Sequence, residues 1–256
     1  METISRVLAP KSPATNTDTN LLKVVAMVAM LLDHAGKMLF PEYPVFRILG
    51  RLAFPIYAYC LAMGSVYTKH PLKYVSRMIL LALISQPLYA LGLNHANSAM
   101  YVIPFSERPL EAAWNFYLNS WREPSILFAL TCGLILLWAI RNRQFVIAFA
   151  MYVFCWRVQG SLDYGLRGIH LMLLFYLLCE HRLLSVLCVA AFMAWWGLSG
   201  GGYKLFGVQF SVQLFALAAL PLIYIPTGSG LKLPKWLFYC FYPAHLAVLW
   251  YLTAGF

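Results

Sequence analysis

Asp33 and His34 stand side by side inside an apolar run, Leu21 to Phe40, that is long enough to cross a bilayer. A charged side chain at mid-membrane costs on the order of a few kcal/mol, so ionisable residues found there line a cavity and serve a function. A neutral imidazole accepts and returns a proton near neutral pH, as a general base must. His34 is therefore the candidate base. Asp33 has cations within reach: Lys37, four residues on along the same helix, or Arg47 and Arg51, which are four apart and share one face of the next span. A buried arginine needs a partner, and Asp33 is an intramembrane acid available to Arg51. His34, Asp33 and Arg51 form the candidate catalytic set, with Arg51 or Gln86 as the group that stabilises an oxyanion.

Other polar residues fall at similar depth. Arg47 and Arg51 lie near one end of the second span and Gln86 lies in the same half of the third, in Ser85-Gln86-Pro87. Ser125 opens the fourth, Asp163 and Tyr164 open the sixth, His170 follows a turn or so deeper, and His245 stands midway along the last. Their convergence on one leaflet implies a hydrated substrate pocket opening outward. The opposite helix ends are basic, with Lys69, Lys73 and Arg77 at one break, Arg141 and Arg143 at another, and Lys232 and Lys235 at a third. These are either topology signals or a cytoplasmic docking surface for a phosphorylated cosubstrate.

The elements that carry these residues are transmembrane helices. The 256 residues are 62% hydrophobic and 11% charged, which places the chain outside the range of soluble domains. Long apolar runs, rather than short alternating segments, point to an all-α integral membrane protein. The runs number about nine, near 21–40, 46–67, 73–93, 125–141, 144–158, 164–180, 182–199, 209–226 and 235–254. Residues 1–20 read as a flexible cytoplasmic tail and 21–256 as one transmembrane domain, with a long outer loop at 94–124 rich in Trp and Tyr. That loop is a lid or an interfacial amphipathic helix. With the amino terminus inside, eleven Lys and Arg fall on the inner side and seven on the outer, Arg51 being intramembrane, so the amino terminus is expected in the cytoplasm. The net charge of +10 sits at helix ends, which argues against a nucleic-acid partner. Six cysteines are scattered through apolar runs without metal-ligand spacing, and no metal is expected.

The stretch Leu22 to His34 followed by Gly50-Arg51-Leu52-Ala53-Phe54-Pro55-Ile56-Tyr57 resembles the TraX family. Tyr164-Gly165 with Gly168, and Phe241-Tyr242 with His245-Leu246-Ala247-Val248, extend the likeness in order along nearly the whole chain. TraX proteins are conjugation-associated, and the namesake acetylates the amino terminus of F-type pilin; the family is similar to a wider group of transmembrane acyltransferases. The resemblance implies acetyl-CoA as cytoplasmic cosubstrate, transfer to an acceptor on the far side of the bacterial inner membrane, a pilin subunit as partner, and a catalytic histidine on an early helix, here matched by His34. Ser125 and Asp163 depart from the pattern, standing where Asn and Ser are expected. The expected function is thus N-acetyl transfer to pilin. The competing readings are a proton-coupled transporter, an acyltransferase acting on a glycan or other acceptor, or a structural partner in pilus assembly.

Overall fold

A computed structural model of the chain describes residues 10, 13–93, 100–205 and 207–254, which are mostly helical. Asp18 caps the first helix, α1 (Thr19–Met38), by accepting the Leu21 N–H at 3.3 Å, and Lys37 lies in its last turn, where a cation suits the helix dipole. Proline, whose missing N–H is harmless in a first turn, opens α2 (Pro44–Gly50); α3 (Ala53–Tyr67) follows directly. Proline also opens α4 (Pro71–Leu93) and α5 (Pro109–Ser120). Then come α6 (Ile126–Arg141), α7 (Phe145–Val158), α8 (Gly165–Leu177) and α9 (Arg182–Leu198). A hairpin of β1 (Tyr203–Leu205) and β2 (Val208–Phe210) pairs Tyr203 with Phe210 and leads to a 3₁₀ helix over Val212–Ala219. The chain closes with α10 (Leu220–Tyr224) and α11 (Lys235–Ala254).

Three expectations are corrected. The apolar run 46–67 is not one helix: it breaks at Arg51-Leu52. Pro55 is the cause, because its ring crowds the carbonyl four residues back and it has no N–H to donate to it. The Arg51 and Leu52 N–H groups instead bond three residues back, to Ile48 (3.2 Å) and Leu49 (3.3 Å). The run 209–226 begins in β2 and continues as 3₁₀ before becoming α-helical, so the fold carries a small hairpin beside its helices. Finally, residues 13–18 do not behave as a free tail. Thr15 and Asn16 are buried, the Ala14 N–H donates to the Cys179 carbonyl at 2.8 Å, and the Asn16 amide donates to Leu222 O at 2.9 Å and Thr227 Oγ1 at 3.0 Å. Short polar side chains matched to free backbone groups make this segment a strap, whereas residues 1–9, 11 and 12 lie outside the described set. Hydrogen bonds from the Ser229 side chain and backbone hold the Asp18 carboxyl at its end below the usual carboxylate range.

Of the expected loop at 94–124, residues 94–99 lie outside the described set, and the remainder contains α5. Pro87 inside α4 leaves the Leu83 carbonyl without its helical donor, and the Tyr117 hydroxyl of α5 donates to it at 3.4 Å. The proline thus anchors the loop.

The core centres on α3, which is buried on nearly all sides by α1, α6 and α8, while α11 packs on α4 and α1. Lys23 sits over the Phe238 ring at 5.1 Å near the start of α1 and α11, and His34 meets His245 farther along both. The two helices therefore run parallel. Large apolar side chains, among them Val146, Phe149, Leu183, Leu187 and Tyr251, cover the outside, while Asp33, His34 and Arg51 are enclosed. That distribution suits a hydrocarbon surround. By length and composition two helical stretches among the described residues can cross a membrane, Pro44–Tyr67 and Pro71–Leu93, with shorter apolar helices beside them.

Candidate functional site

A cavity of about 750 Å³ runs beside α1 from Thr19 and Lys23 to Lys37. At 1.5 Å per residue that is about 27 Å, close to a hydrocarbon thickness. Its two ends differ. One is ringed by Lys23, Lys69, His70, Lys73, Arg77 and Lys235, drawn from the first two turns of α1 and α4, the start of α11 and the segment that leads into α4. The other holds Asp33, His34, Lys37, Arg47, Arg51, Asp163 and Tyr164. Between them the wall is aromatic and aliphatic, with Tyr57, Leu61, Tyr74, Leu130 and Tyr239.

Close approach of α2 to α1 builds the second end. A Cβ on Gly50 would overlap Asp33, and one on Gly36 would come within 2.5 Å of the Phe46 Cβ, so glycine at both positions lets the helices touch. Arg47 and Arg51, one turn apart, then close on Asp33 from the same side. Arg47 Nη1 donates to Asp33 Oδ2 at 3.0 Å and to its backbone oxygen at 3.3 Å, and Arg51 Nη2 pairs with Oδ1. Arg51 also donates through Nη1 to the Tyr164 hydroxyl at 2.9 Å and through Nε to the Arg47 carbonyl. Of the alternatives open to Asp33, the arginines are taken.

Tyr164 precedes α8 in a left-handed conformation (φ 61°), which is uncommon for a bulky residue. Its ring stacks on Phe54 at 4.1 Å and meets Trp196 edge-on, which fixes the hydroxyl against Arg51. Asp163, beside it, accepts from the Tyr89 hydroxyl at 3.1 Å. His34 is buried; its Nδ1 lies 2.7 Å from His245 Nε2, the two rings are nearly parallel and meet edge to edge, and Tyr242 stands edge-on to both.

Nine of the residues expected from sequence line this cavity: Asp33, His34, Arg47, Arg51, Asp163 and Tyr164 at one end, Lys69, Lys73 and Arg77 at the other. Six do not. Gln86 uses its amide as a strut, donating to Ser120 O (2.7 Å) and Glu123 O (3.2 Å) and accepting the Ser125 N–H (2.9 Å), so it has no free group for an oxyanion. Ser125 is buried behind it. His170 faces away and takes a hydrogen bond with Tyr152 at 3.0 Å. His245 stands behind His34, not in the cavity. Arg141 caps the end of α3 through the carbonyls of Ser65 and Thr68, and Arg143 sits in a left-handed turn after α6. Lys235, expected among the basic ends, also lines the mouth. Sequence reasoning missed Lys23 as its partner, and the tyrosine wall; the concentration of Tyr near the same helix ends was the available signal.

In chemical terms the cavity joins an anion-attracting mouth to a buried imidazole flanked by fixed cations and a phenol. No solved structure matches the chain. It is 26% identical over 241 residues to a probable fimbrial assembly protein, FimC of serogroup H1, from Dichelobacter nodosus, covering 89% of this chain and 92% of that protein. A 40-residue stretch, 16% of each chain, is 45% identical to the uncharacterized protein RP591 of Rickettsia prowazekii (strain Madrid E). The model of the TraX protein family matches residues 18–253, and with nearly the whole chain so covered, this protein belongs to the TraX family.

Proposed function

We propose that the protein is a multi-pass inner-membrane N-acetyltransferase that moves an acetyl group from cytoplasmic acetyl-CoA to the amino-terminal amine of a pilin subunit on the outer side. The observation that carries this reading is the single cavity that connects a basic mouth to His34. Family membership and the fimbrial-assembly name of the Dichelobacter relative support a role in pilus biogenesis. The amino terminus lies in the cytoplasm and the chain crosses about nine times, an odd number that agrees with the parallel course of α1 and α11.

Phosphates of CoA dock among Lys69, Lys73 and Arg77, with Lys23 and Lys235 closing the ring, and the pantetheine arm follows the tyrosine wall inward. Lys23 and His34 are eleven residues apart on α1, about 16 Å, roughly half the ~30 Å hydrocarbon core and within reach of an extended arm. His34 takes a proton from the acceptor amine as its nitrogen attacks the thioester carbonyl and the C–N bond forms. The developing oxyanion faces Arg51 and the Tyr164 hydroxyl, which accepts from Arg51 and so keeps its own proton to donate. Collapse breaks the C–S bond, and the CoA thiolate takes the proton held by His34. The amine is acetylated and His34 is neutral again.

The test is intact-mass analysis of the pilin co-produced with the protein or with H34A. The wild type adds one acetyl group per subunit, and H34A, inserted normally, slows transfer by roughly 10²- to 10⁴-fold. A pilin of unchanged mass, or H34A turnover near wild type, refutes the reading.

A further inference from the structure

From the geometry behind His34 we infer that His245 is a positioning residue: it fixes the neutral His34 ring with its proton on Nδ1 and its lone pair on Nε2, facing the cavity. This rests on the acetyl-transfer reading only for what the lone pair is used for; the proton placement stands on hydrogen bonds.

His245 Nδ1 lies 2.8 Å from the Phe241 carbonyl oxygen. That oxygen only accepts, so Nδ1 carries the His245 proton. A neutral His245 then has a bare Nε2, which can only accept. His34 Nδ1 is 2.7 Å from that nitrogen and must be the donor. One proton per neutral ring leaves His34 Nε2 bare, and among the described residues no hydrogen bond reaches it. The order is therefore His34 Nδ1–H to His245 Nε2, then His245 Nδ1–H to Phe241 O.

The rings are also held against rotation. His245 lies nearly parallel to His34 (centroids 5.0 Å apart, 11°), which it meets edge to edge through the hydrogen bond, and stacks on Phe241 (4.9 Å, 14°), while Tyr242 is edge-on to both histidines. The arrangement suits a base through its whole cycle. When Nε2 gains a proton from the acceptor, Nδ1–H keeps its bond to His245, so the ring need not turn before returning the proton. The same relay cannot drain that proton away, because it ends on a backbone carbonyl. A histidine that loses its tautomer partner in a serine protease loses about 10⁴-fold in rate, which sets the ceiling for such a device.

Nitrogen-15 spectra of the full-length protein, labelled at histidine and held in lipid nanodiscs, read the tautomer directly, with H34Q identifying the His34 signals by difference. The expected wild-type spectrum has His34 protonated at Nδ1 and bare at Nε2. H245L, which removes the acceptor but keeps apolar bulk, shifts the His34 proton toward Nε2 and lowers kcat at least about tenfold while acetyl-CoA KM stays within about twofold. H245Q, which returns an acceptor oxygen near the lost Nε2, recovers most of kcat and of the Nδ1–H signal. A wild-type His34 protonated at Nε2, an imidazolium at His245, or an H245L enzyme with wild-type kcat overturns the inference. If no acetyl transfer is found at all, the wild-type spectrum still decides the proton placement, and only the proposed reaction falls.

Discussion

Replacing Asp33 by asparagine keeps the side chain's size and removes the charge that Arg47 and Arg51 share. The two arginines stand to lose unequally. The Arg51 side chain is 9% exposed and that of Asp33 13%, so Arg51 would be left as an enclosed cation, whereas Arg47 is 34% exposed and can be screened. Stranding a buried partner costs about 3–5 kcal/mol, and a pair with one solvated member contributes at most about 1 kcal/mol. D33N is therefore expected to lose about 3–5 kcal/mol, nearly all of it through Arg51. R51M should lose less, about 1–3 kcal/mol, because Asp33 keeps Arg47 at 3.0 Å. R47M should lose about 1 kcal/mol or less. In the D33N/R51M double variant the buried cation is gone and the cation left facing Asn is Arg47, which is part-exposed and can be screened, so the loss should fall short of the sum of the singles by about 3 kcal/mol. Urea unfolding of the four variants in one detergent, followed by tryptophan fluorescence, measures the series. Equal losses for R47M and R51M, or additivity to within about 0.5 kcal/mol, would refute the idea that Asp33 serves mainly to neutralise a buried Arg51.

Charge reversal at Lys73 or Arg77 should raise acetyl-CoA KM by about tenfold or more and change kcat much less, because it removes binding remote from the reacting bond; unchanged KM would move the cosubstrate site elsewhere. Gly50→Ala forces a methyl into Asp33 and should cost about 1–3 kcal/mol in the same urea assay, with Gly160→Ala, whose Cβ would meet nothing, as the neutral control. The Asp18 carboxyl is held below its unfolded value, so its contribution is complete above about pH 4 and disappears as pH falls through the lower folded value. Protection factors for the Ser229 amide, which donates to Asp18 at 2.7 Å, should drop over that acid window in the wild type and be low at all pH values in D18A; a flat wild-type profile would contradict the strap.

Much of the site was legible because long apolar runs make polar residues conspicuous. His34, Asp33, Arg47 and Arg51 stand out against apolar neighbours, and a one-turn spacing puts the two arginines on one face without any knowledge of the fold. Depth was legible too, but depth is not direction. Gln86 and His170 lie at the right level and point elsewhere, one into loop backbone and the other toward Tyr152. A helix run shows how far along the axis a residue sits, while its azimuth depends on packing that only tertiary contacts fix. The Arg51 break was missed for a related reason: an apolar run hides a proline whose effect falls four residues earlier. Residues 13–18 were misread because polar composition was equated with freedom, although Asn16 is polar for the sake of buried backbone partners around Leu222 and Thr227.

The basic mouth is where the bland and the functional readings can be weighed most closely. A cation in the first turn of a helix is disfavoured by the helix dipole by about 0.3–1 kcal/mol. Lys73 and Lys235 fall in the first turns of α4 and α11, and Lys23 just inside α1, so helix stability is not what selects them. Topology alone would accept these lysines anywhere on the inner side, including on the lipid-facing flanks. Instead cations from the first two turns of α1 and α4 and from the start of α11 converge on one opening. The cation over Phe238 keeps Lys23 at the rim and out of the apolar passage behind it. A mouth that accumulates unfavourable cations, leads into an apolar tube and ends at a buried imidazole has the features that the proposed cosubstrate, polyanionic at one end and reactive at the other, would require.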